Sequence, residues 1–279
     1  MSVQFGSGEL DLLLEKVYRE GGYDFRDYRR GTILRRLEKR LHATKARTYR
    51  DYIQFLDAHP EEYERFAECL TIKVSGFFRN SYAFQEVARL VLPELISEKR
   101  KPEDQSLRVW SAACARGEEP YSIAILLAEF LGHQRQSFSI SIHATDISRQ
   151  ALNEAKSGIY SPQDVVGLSD TILGNYFNRV DERYEVRADI KQMLHFSYFD
   201  LTSLARPPLM NLDLIFCCNV LIYLQKQLQE RVLNTLCNSL HSHGYLILGE
   251  VETPPNNLHK KLGCLDRKAR IYRKVETAF

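Results

Sequence analysis

The chain has 279 residues, which is enough for a small domain and a larger catalytic-sized one. Hydrophobic residues make up 44% and charged residues 27%, as in ordinary globular proteins, and no apolar run is long enough to cross a bilayer. The formal net charge is only +2, which argues against a protein that binds nucleic acid through its overall charge.

Two further features of the composition suggest a cellular compartment. The N-terminal stretch carries acidic residues and lacks the basic start of a signal peptide, so we expect a cytoplasmic protein without membrane insertion. The six cysteines form no CxxC pair and have no His cluster at ligand spacing. We therefore expect reduced, structural thiols and no metal site.

The first 70 residues predict helices only. Leu10, Leu13, Leu14 and Val17 recur at helical spacing, and Gly21 and Gly22 then end that helix. Further helices are predicted at 32–43, at 48–58 and at 60–72.

Beyond residue 105, short apolar stretches alternate with helical ones, which predicts a parallel sheet with helices on both faces. Such sheets bind ligands at the carboxyl ends of their strands. A further stretch of alternating residues, 179–197, predicts a small antiparallel hairpin inserted in the main sheet. The predicted strands are 108–113, 139–146, 212–219, 243–251 and 269–275.

The turn after the first predicted strand is the first candidate ligand site. Segment 109–122, VWSAACARGEEPYS, runs through small residues and Gly117 into a helix, which allows a ligand close to the backbone. Glu118 and Glu119 follow at the start of that helix, where carboxylates also favour the helix dipole. They therefore either stabilise the helix only or pair with an ammonium group of a bound cofactor.

Two later strands end in polar residues with alternative roles. Asp146 closes the second strand, where a carboxylate accepts hydrogen bonds from ribose hydroxyls, although it could equally cap the next helix. Ser148 is better placed for capping, which favours the ribose role. Asn219 ends the buried strand 212–219 and is either a turn residue or a cofactor ligand. Tyr223 follows, and its residue type alone favours a core aromatic.

Taken together, these segments resemble the chemotaxis-receptor methyltransferase (CheR) family over nearly the whole chain. The matching stretches are VWSAACARGEEPYS, ATDIS at 144–148, IFCCNVLIY at 215–223 and IKVSGFFRN at 72–80. The resemblance implies an α/β S-adenosylmethionine-dependent methyltransferase with a Rossmann-like sheet of seven mostly parallel strands. It also implies a helical N-terminal domain at 1–72, a linker at 73–86 that crosses the cofactor pocket, and a methyltransferase domain at 87–279 with an inserted β-subdomain at about 178–196.

The resemblance also implies residue roles. Glu119 and Cys218–Asn219 would lie at the methionine end of the cofactor, Asp146 at its ribose and Asp200–Leu201 near its adenine. Arg79 and Tyr223 match positions beside the transferred methyl group and are the expected catalytic residues. The full cofactor set is Lys73, Ser75, Arg79, Ala113, Gly117, Glu119, Asp146, Ile147, Asp200, Leu201, Cys218 and Asn219.

A basic segment in the helical region suggests the partner. Ten basic residues lie between Arg26 and Arg50 with only two acidic ones, in a chain whose net charge is +2. An acidic partner is the natural complement, and the resemblance implies the glutamate-rich helical region of a chemoreceptor. Nucleic acid is the competing partner, but no motif supports it. The expected substrate-binding residues are Arg35, Arg36, Lys39 and Arg40.

Four positions depart from the family pattern. Lys73 and Asp200 stand where Asn is usual, Cys218 replaces an Arg, and Val251 replaces Ser in a Gly-His-Ser-Glu stretch. These departures leave two alternatives to a chemoreceptor glutamate methyltransferase: a weakened or inactive cofactor-binding module, and a methyltransferase that acts on another protein.

In some members of the family the β-subdomain binds a short peptide at the receptor's C-terminus. The predicted hairpin of this chain is short, so we expect no docking of such a tail peptide.

Overall fold

The computed structural model describes residues 7–71, 74–99, 105–203, 205–207 and 209–275. The chain divides into two compact units between Ile72 and Lys73, and the stretches Thr202–Leu204 and Tyr223–Gln229 belong to the first unit. Within the described residues, no helix is both long and apolar enough to cross a bilayer.

The first unit is helical, as predicted, and its helices form because their apolar residues share one face. In α2, Ile33, Leu37 and Leu41 are buried at four-residue spacing. A capping box starts α3, because Thr48 and Asp51 each accept a backbone N–H of the other. Between residues 7 and 71 the helices are α1 (Ser7–Gly21), α2 (Arg30–Thr44), α3 (Tyr49–Ala58) and α4 (Glu61–Leu70).

A helical stretch opens the second unit after the described part of the linker. Helix α5 (Ser81–Glu86) continues through a π-helical turn, Val87–Val91, into α6 (Leu92–Lys99). The second half of the predicted linker 73–86 is therefore helical. Buried residues on this stretch, including Phe84, Val87 and Leu95, join the core of the second unit.

The remaining elements alternate between strands and helices, as the sequence predicted. In chain order they are β1 (Ser106–Ala112), α7 (Glu118–Leu131), β2 (Ser139–Asp146), α8 (Arg149–Ser157), β3 (Ile159–Tyr160), α9 (Asp170–Tyr176), β4 (Phe177–Val180), β5 (Arg183–Val186), α10 (Ala188–Lys191), β6 (Leu194–Tyr198), β7 (Leu212–Cys217), α11 (Lys226–Ser239), β8 (Leu240–Leu248), β9 (Leu262–Asp266) and β10 (Ile271–Lys274).

Seven of these strands form one sheet in the order β6-β2-β1-β7-β8-β10-β9. Strands β6, β2, β1, β7 and β8 pair in parallel, whereas β10 runs antiparallel to both of its neighbours. Every residue of β7 is buried, as expected for a central strand covered on both faces. The α/β fold with a seven-stranded, mostly parallel sheet and an all-α N-terminal region is confirmed.

The predicted hairpin is present and belongs to a small antiparallel sheet of order β3-β5-β4. Its strands span 177–186 rather than 178–196, because Leu194–Tyr198 pairs with β2 in the main sheet instead. The third strand, Ile159–Tyr160, pairs with β5 and was not predicted from the residue pattern, since two residues are too few to show alternation.

Candidate active site

Four neighbouring parallel strands bring most of the predicted site residues to one edge of the sheet. In sheet order, β6 is followed by Asp200 and Leu201, β2 ends at Asp146 and is followed by Ile147, β1 is followed by Ala113 and Gly117, and β7 is followed by Cys218 and Asn219. The carboxyl ends of parallel strands lie at the same edge of a sheet, which is where open α/β sheets bind ligands.

The turn from β1 into α7 has an unusual backbone. Ala113, Ala115 and Gly117 have φ values of 64°, 48° and 92°, in the left-handed region that non-glycine residues rarely adopt. A Cβ at Gly117 would lie 2.9 Å from Cβ of Ala155 and 3.1 Å from the Tyr160 hydroxyl. Glycine is therefore required there both by the backbone angle and by packing against α8, whether or not a ligand approaches.

Glu119 lies in the first turn of α7 and is partly exposed. Its Oε1 accepts a hydrogen bond of 2.7 Å from the Ser111 hydroxyl, and the Cys218 thiol also lies in hydrogen-bonding contact. Burial raises the pKa of the Glu119 carboxyl to about 7; the contacts with Ser111 and Cys218 and the charge of Arg79 lower it, whereas Glu252 raises it. The predicted residues Arg79, Glu119 and Cys218 are thus brought together.

Glu118 has a different environment from its neighbour. Its side chain is buried, and burial raises the pKa of its carboxyl while Arg116 and Ser75 lower it. Oε2 accepts no hydrogen bond from the part of the chain that the structure describes. Ser75, a predicted cofactor ligand, is therefore placed beside Glu118. Glu118 lies in the first turn of α7, so the interpretation that it stabilises the helix dipole stays open.

Asp146 joins two loops at the edge of the sheet. Oδ2 accepts the Ala115 N–H at 2.9 Å, and Oδ1 accepts the Ser148 N–H at 2.8 Å. Ser148 caps α8 by accepting the Ala151 N–H, which confirms the preference for Ser148 as the cap. A carboxylate has about four acceptor sites, so Asp146 can orient the loop and also bind a hydroxyl.

Beside β2, the end of β6 brings in the predicted adenine residues. The Phe199 N–H donates to the carbonyl of Asp146, the last residue of β2, at 3.2 Å. Asp200 and Leu201 are the next two residues of the chain and therefore begin near the end of β2. Leu201 is buried, whereas Asp200 and Ile147 are partly exposed.

Glu252, for which the sequence pattern predicted no role, holds the loop that follows β7. Its Oε2 accepts the backbone N–H groups of Asn219 at 2.9 Å and Gly249 at 2.8 Å. Its Oε1 accepts those of Leu221 at 2.7 Å and Ile222 at 3.3 Å. Burial raises the pKa of this carboxyl, and the backbone donors lower it. One buried carboxylate thus fixes the loop that carries Asn219, whose φ is 61°.

The described part of the linker is fixed by its two phenylalanines. Phe77 packs edge-on against Tyr160 and Phe177, with ring centroids 4.8 and 5.4 Å apart, and the Phe78 N–H donates to the Ser122 hydroxyl on α7 at 2.8 Å. Arg79 follows, is exposed, and donates to the Val74 carbonyl at 2.6 Å. Lys73 lies outside the described residues.

Tyr223 is the last residue of a short 3₁₀ helix, Leu221–Tyr223, and belongs to the first unit, where its carbonyl accepts the Arg29 N–H at 2.8 Å.

The four predicted substrate-binding residues on α2 differ from one another. Arg35 and Lys39 are exposed, and Arg36 is partly exposed. Arg40 instead forms a bidentate pair with Glu62, with Nε–Oε1 at 2.8 Å and Nη2–Oε2 at 2.6 Å. Glu62 is fully buried and also accepts the Tyr52 hydroxyl, so Arg40 has a structural partner.

Two sequence models of one family match the chain. The model described as the CheR methyltransferase all-alpha domain matches residues 8–71, and the CheR methyltransferase SAM binding domain matches residues 73–270. No group of three or more potential metal ligands occurs among the described residues.

Curated relatives are similar over most of their own length. A chemotaxis protein methyltransferase of Borreliella burgdorferi is 31% identical over 260 residues, covering 92% of both chains. One of Salmonella typhimurium is 32% identical over 250 residues, covering 88% of this chain and 83% of its own. Among solved structures, magnesium protoporphyrin IX methyltransferase of Synechocystis with bound SAM covers 70% of this chain and 81% of its own at 18% identity, with a TM-score of 0.35 that is too low to indicate function.

Proposed function

The chain belongs to the CheR methyltransferase family, and from this premise we propose that it methylates glutamate side chains of a chemoreceptor-type signalling protein. S-adenosylmethionine-dependent methylation in chemotaxis follows from the family; the glutamate acceptor and the receptor are the proposal. The observation that supports it most directly is the meeting of predicted cofactor residues at the carboxyl ends of four adjacent parallel strands.

The residues at this edge fit S-adenosylmethionine. Glu119 is a partly exposed carboxylate whose pKa of about 7 reflects burial without a strong cationic partner, and an ammonium group would supply one. Asp146 retains acceptor capacity for ribose hydroxyls beside the backbone donors that it already binds. Asp200 and Leu201 stand where the adenine is expected, and Asn219 lies in the loop that Glu252 fixes.

The chemistry needs orientation more than proton transfer. When bound, S-adenosylmethionine supplies a sulfonium methyl group, which a glutamate carboxylate with a reference pKa of about 4.3 can accept without a general base. Arg79 is exposed beside Glu119 and holds the substrate carboxylate through its planar guanidinium. Tyr223 matches the family position beside the transferred methyl group and is the second proposed catalytic residue. Alignment of this kind contributes about 7–11 kcal/mol to lowering a barrier.

The partner is the acidic, glutamate-rich helical region of the receptor, bound by the exposed cations of α2. Arg35 and Lys39 form no ion pair with any other residue that the structure describes, so they are available to an acidic surface. Arg36 contributes its partly exposed guanidinium, and Arg40 contributes mainly by holding Glu62. We place the activity in the cytoplasm, which agrees with six free cysteines.

A catalytically weakened module is the second candidate, and one contact favours it. Cys218 replaces the Arg of the family pattern, and its thiol lies against Glu119 with a pKa that burial raises well above the usual range. A neutral thiol supplies no charge to the loops around the site, and this candidate function predicts low turnover even where the cofactor binds.

The test is methyl transfer from tritiated S-adenosylmethionine to the cytoplasmic fragment of a methyl-accepting chemoreceptor. Base treatment identifies the acceptor atom, because carboxyl methyl esters release volatile methanol whereas methylated nitrogen does not. We expect label that is base-labile and that disappears when the receptor's methyl-accepting glutamates are replaced by alanine.

Two results would redirect the proposal. Base-stable label would mean that the acceptor is not a carboxylate. Tight binding of S-adenosylhomocysteine with no transfer to the receptor fragment would favour the inactive module, and transfer only to another protein would favour a different substrate.

A further inference from the structure

A cavity in the second unit lies beside the residues of the candidate site and has been assigned no role. Its volume is about 310 Å³. Asn80 and Tyr82 line one side, Glu250 a second, and the β9–β10 turn supplies Arg267, Lys268 and Arg270. We call these six residues the basic pocket. The lining side chains include three cations and one carboxylate, and the carboxylates of Asp266 and Glu86 and the guanidinium of Arg89 act on Tyr82 from nearby.

Two of these cations are available to a ligand. The Lys268 ammonium lies 4.1 Å from the centroid of the Tyr82 ring, so a cation–π contact holds it while its N–H donors stay unused. Within the described residues, neither Lys268 nor Arg267 forms an ion pair with a carboxylate, and both side chains are exposed. Arg270 differs, because its Nε donates to the Glu250 carbonyl at 2.8 Å.

The turn that carries these cations is held by backbone hydrogen bonds on both sides. Asp266 Oδ1 accepts the Ala269 N–H at 2.6 Å, which engages the turn's own carboxylate. Arg270 has a φ of 56°, and its carbonyl accepts the Leu248 N–H at 3.1 Å, which connects the turn to the end of β8. A preformed, positively charged concavity binds an anion with little loss of conformational entropy.

The basic pocket is continuous in the chain with the candidate site on two sides. Asn80 follows Arg79 directly, and Glu250 follows Gly249, whose N–H is held by Glu252 together with that of Asn219. This adjacency in the chain places the pocket's Asn80 and Glu250 one residue away from residues of the candidate site.

We propose that the basic pocket binds a second acidic side chain of the methyl-accepting protein, close to the glutamate that is methylated. The inference rests on the proposed function, because it takes a carboxylate-rich polypeptide as the substrate. It assigns Arg267 and Lys268 to substrate selection, with Arg270 and Tyr82 as the residues that position the pocket.

The first arm of the test does not depend on turnover. N-acetyl-glutamate N-methylamide, a capped single glutamate, is titrated into the isotope-labelled full chain with S-adenosylhomocysteine present, and amide shifts of residues 248–250 and 267–270 are followed. We expect saturable shifts there, an affinity about tenfold lower in Lys268→Ala, and no change in Lys260→Ala. Lys260 is an exposed lysine outside the pocket and serves as the matched control.

The second arm measures methylation of the receptor fragment. Lys268→Ala should raise KM for the fragment about tenfold with kcat and the S-adenosylhomocysteine affinity unchanged. An absence of shifts with the capped glutamate, equal shifts with capped glutamine, or tighter binding of inorganic phosphate would overturn the inference even if wild type methylates the receptor. Conversely, saturable binding in the pocket with no methylation by wild type would refute the proposed function and leave carboxylate recognition standing.

Discussion

At the scale of single residues, Glu119 is the most informative side chain because its protonation reports on the ligand. The pKa of its carboxyl is about 7, with burial as the main cause. Burial disfavours the ionised form of this carboxyl group. A bound cation stabilises the ionised form and so lowers the pKa.

We predict that the affinity for S-adenosylhomocysteine decreases as pH falls below about 7 and is nearly constant above it. An ammonium group pairs with the ionised form of Glu119, so below the pKa binding requires that a proton leave. Calorimetric titration across this pH range measures the effect.

Glu119→Gln should abolish this pH dependence and lower the affinity about tenfold or more, because it removes a charged hydrogen bond. Glu182→Gln, in the exposed turn of the hairpin, is the matched control and should behave as wild type. Equal affinity in Glu119→Gln would show that this carboxylate does not contact the ligand.

Glu252 illustrates a residue that acts through the backbone. In Glu252→Gln, one carboxylate oxygen becomes an NH₂ donor that faces N–H groups, and we predict a loss of about 1–3 kcal/mol in the free energy of unfolding. Because the same loop carries Asn219, S-adenosylhomocysteine affinity should fall as well. Urea unfolding and calorimetry measure both effects, with the exposed Glu182→Gln as control. Unchanged stability would mean that the loop holds without this carboxylate.

At the scale of elements, α2 contains cations of two kinds. Arg40→Ala removes the partner of a fully buried Glu62 and should cost about 3–5 kcal/mol of stability. Arg35→Ala, on the same helix and exposed, should stay within about 0.5 kcal/mol of wild type but raise KM for the receptor fragment. Thermal unfolding and methylation kinetics separate the two; a stable Arg40→Ala variant would contradict the structural role.

The sequence predicted the elements whose pattern is periodic and missed those defined by tertiary pairing. Strand β2 was predicted at its observed bounds, 139–146, because its apolar residues are bounded by clear helix signals. Strand β9 was not predicted from the residues, since it is a partly exposed edge strand whose LGCLD sequence lacks alternation. Strand β6 was assigned to the hairpin, because pairing with β2 leaves no mark on its own sequence.

In the candidate site, too, some positions could be predicted from the sequence and others depend on tertiary contacts. Residues at strand ends, such as Asp146 and Asn219, could be predicted because the topology of a parallel sheet determines where they meet. The burial of Glu118 and the four backbone contacts of Glu252 depend on how loops fold onto each other. No spacing rule in the sequence encodes such contacts, although the Glu at the end of the Gly-Glu-Val-Glu stretch was a signal that could have prompted the question.

At the scale of the whole molecule, the charge is uneven: a net charge of +2 conceals a segment with ten basic and two acidic residues. We predict that KM for the receptor fragment rises as salt increases from about 0.01 to 0.15 M, while the affinity for S-adenosylhomocysteine changes little. The reason is that exposed charges on α2 are screened, whereas the partly buried cofactor contacts are not. A salt-independent KM would mean that the basic segment takes no part in substrate binding.

The central claim, that the edge formed by β6, β2, β1 and β7 binds S-adenosylmethionine, is tested most directly by calorimetric titration with S-adenosylhomocysteine. Wild type, Asp146→Asn and the exposed-turn control Asp181→Asn are compared. We predict one-site binding in wild type and Asp181→Asn and an affinity at least about tenfold lower in Asp146→Asn. Equal binding by all three proteins, or no binding by wild type, would contradict the account.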